Sequence, residues 1–186
     1  MAICQRCKVK FPFFTIREQK RPNPLGSGNL CLRCYQPYDL VIEKYKANLK
    51  KIDTDPKAAA WVALCCLLAA QRINLVRTIT AAISGFVETQ DSWKTCKEKT
   101  IRLAMNAMSM LPCDSEGLIF LQALLDRAQG IEESPSREIP RQRYASVYGD
   151  SIVDIEYEAV VQSGVSIDEL NALASSLPGH QWLLNF

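Results

Sequence analysis

Residues 4–7 read CQRC and residues 31–34 read CLRC, with 23 residues between the two pairs. Each CxxC places two thiols on one tight turn, and two such pairs at this spacing suit tetrahedral thiolate coordination at about 2.3 Å. Cys4, Cys7, Cys31 and Cys34 are therefore expected to close around one ion, zinc by default, with iron the other four-thiolate choice. Four sulfur ligands leave no coordination position for water, so such a site is structural and not catalytic. A stretch of about 50 residues buries too little apolar area to fold alone, and a bound ion supplies the missing free energy.

Working outward from the cysteines, Arg21–Asn29 is rich in Pro, Gly, Asn and Ser and reads as a connector. Phe11, Phe13 and Phe14 are candidates for a small local core, or else for stacking on a nucleic-acid base. From Tyr35 to Lys51 the residues Tyr38, Val41, Ile42, Tyr45 and Leu49 recur at three and four positions, which predicts a helix with Cys34 at its start. Pro37 is expected in its first turn, where a missing N–H costs little. A knuckle, an aromatic stretch, a loop and a second cysteine pair at a helix start resemble a treble-clef zinc finger. The pattern is similar to the four-cysteine finger at the N-terminus of many small uncharacterised bacterial proteins. The resemblance covers Cys4 to about Leu49 and implies a short β-hairpin plus a helix. Many zinc knuckles carry Gly directly after the second cysteine; Lys8 and Tyr35 stand there in this chain.

Asp53-Thr-Asp-Pro56 marks a boundary, with Asp55 able to cap a helix that begins at Pro56. That helix is expected from 56 to about 88. Its first half, Ala58–Ala70, is an unbroken apolar run, shorter than the roughly 20 residues of a membrane span and best read as a buried helix. Gln71, Asn74, Arg77, Thr78, Ser84 and Glu88 are expected on its wet face. A second helix opens at Asp91 or Ser92, carries Trp93, Cys96, Thr100, Ala104, Ala107, Met108 and Leu111 as its apolar stripe, and stops at Pro112. A third runs from Asp114 or Ser115 to Gly130, with Gln122, Asp126 and Gln129 wet. Residues 131–149 read as a linker or exposed loop. For 152–162 both strand and helix patterns are present, and helix is preferred. Ser166 and Glu169 form a capping box for a helix to about Leu177. The apolar tail Gln181–Phe186 is expected to dock on the helices.

Taken together these segments predict a mainly α protein: a zinc finger at 1–52, a helical core at 53–130, a linker at 131–149 and C-terminal helices at 150–186 packed on the core. The formal charge is +2 overall, but residues 1–51 carry +8 and the remainder −6. Lys8, Lys10, Arg17, Lys20, Arg21 and Arg33 crowd the cysteines and are candidates to contact nucleic acid or a protein partner. A four-thiolate zinc centre carries −2, so these cations also offset the cluster.

The remaining chemistry-bearing residues read as structure. Cys65, Cys66, Cys96 and Cys113 are expected in the core. Met105, Met108 and Met110 are expected to pack there too. Asp150, Asp154, Glu156 and Glu158 read as a solvated acidic face. His180 is the single histidine, and no P-loop, GxGxxG, GxSxG or HExxH is present. Met1-Ala-Ile3 runs into the cysteines without a basic-then-apolar leader, so a reducing cytoplasmic setting is expected. The sequence thus points to a non-enzymatic adaptor or regulator that works through protein contacts, alternatively to a nucleic-acid-binding regulator. The helices offer a surface for homo-oligomerisation, and no membrane is involved.

Overall fold

A computed structural model describes residues 3–11, 20–24, 27–84, 92–113, 115–132, 155–184 and 186. In chain order these form β1 (Lys20–Pro22), β2 (Asn29–Cys31), α1 (Leu32–Leu49), α2 (Pro56–Ser84), α3 (Ser92–Ser109), α4 (Glu116–Gln129), α5 (Ile155–Gln162), α6 (Ile167–Ser175) and α7 (Gln181–Leu184). The architecture is mainly α, with a small cysteine-bearing element followed by packed helices, as expected.

The central element is α2. Asp55 caps it, its carboxylate accepting from the Lys57 and Ala58 amides at 2.9 and 3.3 Å. Every side chain from Ala58 to Leu67 is buried. The segment Pro56–Thr80 is long and apolar enough to cross a membrane by composition, but 61% of its apolar window is buried within the fold. Small residues along it let α3 approach closely, and Thr100 bridges the two helices by donating to the Ala63 carbonyl at 3.2 Å. Ser115 caps α4 and Gly130 ends it, though with φ −71° the glycine needs no left-handed turn. Ser166 and Glu169 form the capping box of α6.

The C-terminal tail docks. Trp182 packs on Phe120 with ring centroids 6.0 Å apart, and Leu183 is buried. Lys44 Nζ donates to the Phe186 carbonyl at 2.6 Å and lies over the Phe186 and Trp61 rings. Burial lowers the Lys44 pKa, an effect the nearby Cys65 thiol opposes.

Several expectations are corrected. The first helix begins at Leu32 and not at Tyr35, so Pro37 lies inside it, past the first turn. There the proline removes the N–H that would bond the Arg33 carbonyl. Arg21, Pro22 and Asn29 are paired strand residues and not connector, in the register Arg21↔Leu30 and Pro22↔Asn29. In the second half of α2 Thr78 is exposed and Gln71 and Asn74 partly so, as expected, but Arg77 is buried over the Trp93 ring at 4.9 Å, and Leu75, Val76, Ile79 and Ile83 are exposed as well. The long Arg stem and planar head suit an aromatic face. Met105 is 58% exposed, and Met110 lies beyond the end of α3. Cys113 is exposed, while Cys65, Cys66 and Cys96 are buried as expected. Residues 155–162 are helical.

Phe13, Phe14, Arg17, Gly85, Glu88, Asp91, Asp114, residues 133–149, Asp150 and Asp154 lie outside the described residues, as does the side chain of Lys20.

Candidate metal centre

The two cysteine turns are built by backbone pairing. The Cys4 amide donates to the Val9 carbonyl at 2.9 Å and the Lys8 amide to the Cys4 carbonyl at 3.0 Å, closing the first turn. The Gln5 amide donates to the Asn29 carbonyl at 3.0 Å, which ties this turn to β2 and so to the second pair. Lys8 has φ +61°, the left-handed conformation that a side chain disfavours. The position after the second cysteine of this turn therefore has a glycine-like backbone even though it is lysine. The second pair straddles a helix start. Cys31 is the N-cap of α1, with extended backbone, and Cys34 sits in the first turn.

All four Sγ atoms lie within 4.8 Å of one another. Cys7 and Cys31 Sγ are 3.8 Å apart. Four sulfurs at about 2.3 Å from a tetrahedral centre sit about 3.8 Å from each other. The set therefore needs only a small contraction to grip an ion, and all four cysteines are free thiols. Cys4 is fully buried, Cys31 and Cys34 are half-buried, and Cys7 is exposed.

The local electrostatics are polarised. Burial raises the Cys4 pKa, but amide donors of Cys7, Cys31 and Arg6 outweigh it and hold the thiol at about 6. The Cys31 amide to Cys4 Sγ distance is 3.4 Å. Burial, then the neighbouring sulfurs of Cys31, Cys7 and Cys4, push Cys34 up to about 12. Four sulfurs this close resist full ionisation on their own, and a divalent cation removes that repulsion. Binding thus releases at least the proton that Cys34 holds.

Beneath the cysteines a small apolar cluster joins Cys4, Phe11, Leu30 and Tyr38, flanked by Cys31, Cys34 and Tyr35. It is distinct from the large helical core, yet α1 serves both: Tyr38 belongs to the small cluster, Val41 and Tyr45 to the large one.

Of the predicted contact residues, Lys8, Lys10, Arg21 and Arg33 are exposed around the cysteines, together with Arg6. None of these five forms an ion pair with a described residue. Their neighbours Ile3, Val9, Leu32 and Leu40 are also exposed, at 40, 59, 46 and 44%.

A cleft of about 400 Å³ separates the first cysteine turn from α6, lined by Arg6, Asn23, Tyr38, Asp168 and Glu169 among others. Glu169 is held by Arg72 and by the Ser166 amide, so the two carboxylates do not form a free pair. No family model matches the chain, and no curated protein or solved structure matches it.

One polar group escaped sequence reasoning. Lys99 is 6% exposed inside the helical core, donates to the Tyr45 hydroxyl at 3.1 Å and faces Glu156 at 3.8 Å. Tyr45 Oη lies 3.8 Å from Cys66 Sγ. This network joins α1, α2, α3 and α5. The only available signal was that Lys99 follows Cys96 by three positions and so shares its face.

Proposed function

We propose that the chain is a non-enzymatic adaptor or regulator whose N-terminal zinc-finger module, of treble-clef type, presents a protein-docking surface on a helical body. The carrying observation is the set of four thiols within 4.8 Å of one another, with every vertex supplied by the protein. Such a centre, filled by zinc, organises backbone and has no open position for substrate or water. Sulfur-only donors are the fit expected for zinc, with iron next. Cys4, Cys7, Cys31 and Cys34 would hold the ion, whose contribution is to fix the knuckle and the start of α1.

The exposed cations Lys8, Lys10, Arg21 and Arg33 favour the second reading, a nucleic-acid-binding regulator that uses the finger, with Arg17 and Lys20 as further candidates from the sequence. The test is native mass spectrometry of the full chain purified from its host. The adaptor reading expects one ion per chain and a stoichiometric protein partner that leaves when the ion is chelated. A chain without an ion overturns the module, and co-purifying nucleic acid in place of protein overturns the adaptor in favour of the second reading.

A further inference from the structure

The surface around the cysteines mixes two kinds of group that single-purpose surfaces keep apart. Lys8, Val9 and Lys10 alternate cation, aliphatic, cation along one exposed segment. Ile3 is bridged antiparallel to Lys10, adding a second exposed aliphatic beside it. The 3.8 Å approach of Cys7 and Cys31 sulfurs joins the two cysteine turns, the first flanked by Arg6 and Lys8 and the second followed by Leu32 and Arg33. Leu40 lies two turns further along α1, on the side of Arg33.

Charge on this module is one-sided. Asp39 and Glu43, both on α1, are its only carboxylates among the described residues. Five exposed cations outweigh the −2 of a filled four-thiolate zinc site together with Asp39 and Glu43, so the face stays positive when loaded. The flank towards α6 is closed by Asp168 and Glu169, which bounds the positive face on that side.

We infer that this face binds an acidic, amphipathic segment of a protein partner, with carboxylates meeting the cations and aliphatic side chains seating on Ile3, Val9, Leu32 and Leu40. Charge complementarity supplies the first half of the fit. The four aliphatic residues supply the second: a phosphate backbone has nothing to bury against them, and single-strand binding relies on exposed aromatic rings. The described aromatics of the module do not offer such rings, because Phe11 and Tyr38 are buried and Tyr35 is half-buried. This rests on the reading of the module as a metal-loaded docking surface.

The experiment uses the full chain after native mass spectrometry has confirmed one ion per molecule, so loss of the module is scored before binding is. Three labelled probes of equal charge are compared by fluorescence anisotropy: a peptide of alternating Glu and Leu, the same peptide with Ser for Leu, and an oligothymidylate. The Glu–Leu peptide is expected to bind at least about 10-fold more tightly than either other probe. Its affinity should fall only modestly between about 50 and 200 mM salt, whereas dominant phosphate contact produces a steep loss. Val9→Asp and the pair Lys10→Glu with Arg33→Glu should each weaken the peptide about 10-fold or more, with ion content unchanged. Equal binding of the Ser and Leu peptides, tighter binding of the oligothymidylate, or indifference to these substitutions in the loaded protein would overturn the inference while leaving the metal module standing.

Discussion

Removing the ion should unfold the cysteine module and leave the helical body folded. Before α1 the described residues are 3–11, 20–24 and 27–31, nineteen positions. At about 1.5 kcal/mol each, ordering them costs roughly 28 kcal/mol. Four buried apolar side chains, Cys4, Phe11, Leu30 and Tyr38, return about 8 kcal/mol. The hydrogen bonds Cys4 to Val9, Lys8 to Cys4, Gln5 to Asn29, Asn23 to Gly28 and Cys31 to Cys4 Sγ return about 5 kcal/mol. A structural zinc ion contributes about 10–16 kcal/mol, which closes the balance to within a few kcal/mol. Without it the module falls short by more than 10 kcal/mol, a margin no single contact restores.

The assay is hydrogen exchange by mass spectrometry with and without a strong chelator, read beside tryptophan fluorescence. Trp61, Trp93 and Trp182 all belong to or pack on the helical core, so their emission reports the body alone. Amides from Cys4 to Cys31 should lose protection on chelation, amides from Val41 onwards should keep it, and the emission should not move. Persistent protection of Cys4–Cys31 after measured loss of the ion would refute the reasoning. Cooperative melting of α2 and α3 on chelation would equally refute the independence of the two cores.

Other expectations follow from single positions. Lys8→Gly should keep full ion affinity, since glycine adopts φ +61° without strain, whereas Lys8→Val should weaken competition against a chromogenic chelator by about 10-fold or more. Gly179→Ala should cost about 2 kcal/mol in urea unfolding, because φ is +72° and the new methyl would lie 2.9 Å from the Phe120 amide nitrogen; Gly130→Ala, with φ −71° and its nearest contact 3.4 Å away, should be neutral or slightly stabilising. Lys99→Met should destabilise by about 2–3 kcal/mol, since it removes the cation facing Glu156 and one partner of the Tyr45 hydroxyl, and adding Glu156→Gln should recover part of that loss in a double-mutant cycle. Exchange of Ile79 and Ile83 for Gln should alter thermal stability by no more than about 0.5 kcal/mol, as both are already exposed.

What could be read from the sequence was whatever depends on local spacing. The CxxC pairs, the Asp55 and Ser115 caps, the Ser166–Glu169 box and the apolar run 58–70 each encode their outcome within a few residues, and each is found. The misreadings concern tertiary context. Polar residues at helical period beyond Gln71 implied a wet face, but Arg77 is buried against the Trp93 ring, which α3 brings to it. Nothing local marked the contacts of Lys99, because its partners, Tyr45 and Glu156, lie 54 and 57 positions away. The start of α1 moved forward to Leu32 because the second cysteine turn itself continues into helix, a constraint that outweighs the preference of Pro37 for a first turn. For the candidate site, the ligand set was legible in full, whereas the exposed aliphatic residues among the cations were not, since one sequence cannot say which side of Val9 or Leu32 is wet.

The double use of α1 gives the metal centre a route to the body. Its first turn carries Cys34, its middle contributes Tyr38 to the small cluster, and its last turns place Val41 and Tyr45 in the large core. Tyr45 accepts from Lys99, so the helix that carries two of the clustered cysteines at its start is held further along by a buried polar contact with α3. A helix of 18 residues fixed at both ends transmits orientation, because its backbone hydrogen bonds resist bending everywhere except at Pro37, where one is missing. A bound ion and the Lys99 network would therefore set the angle between the basic face and the helical body jointly. Loosening either one should widen the range of that angle before it lowers the stability of the other.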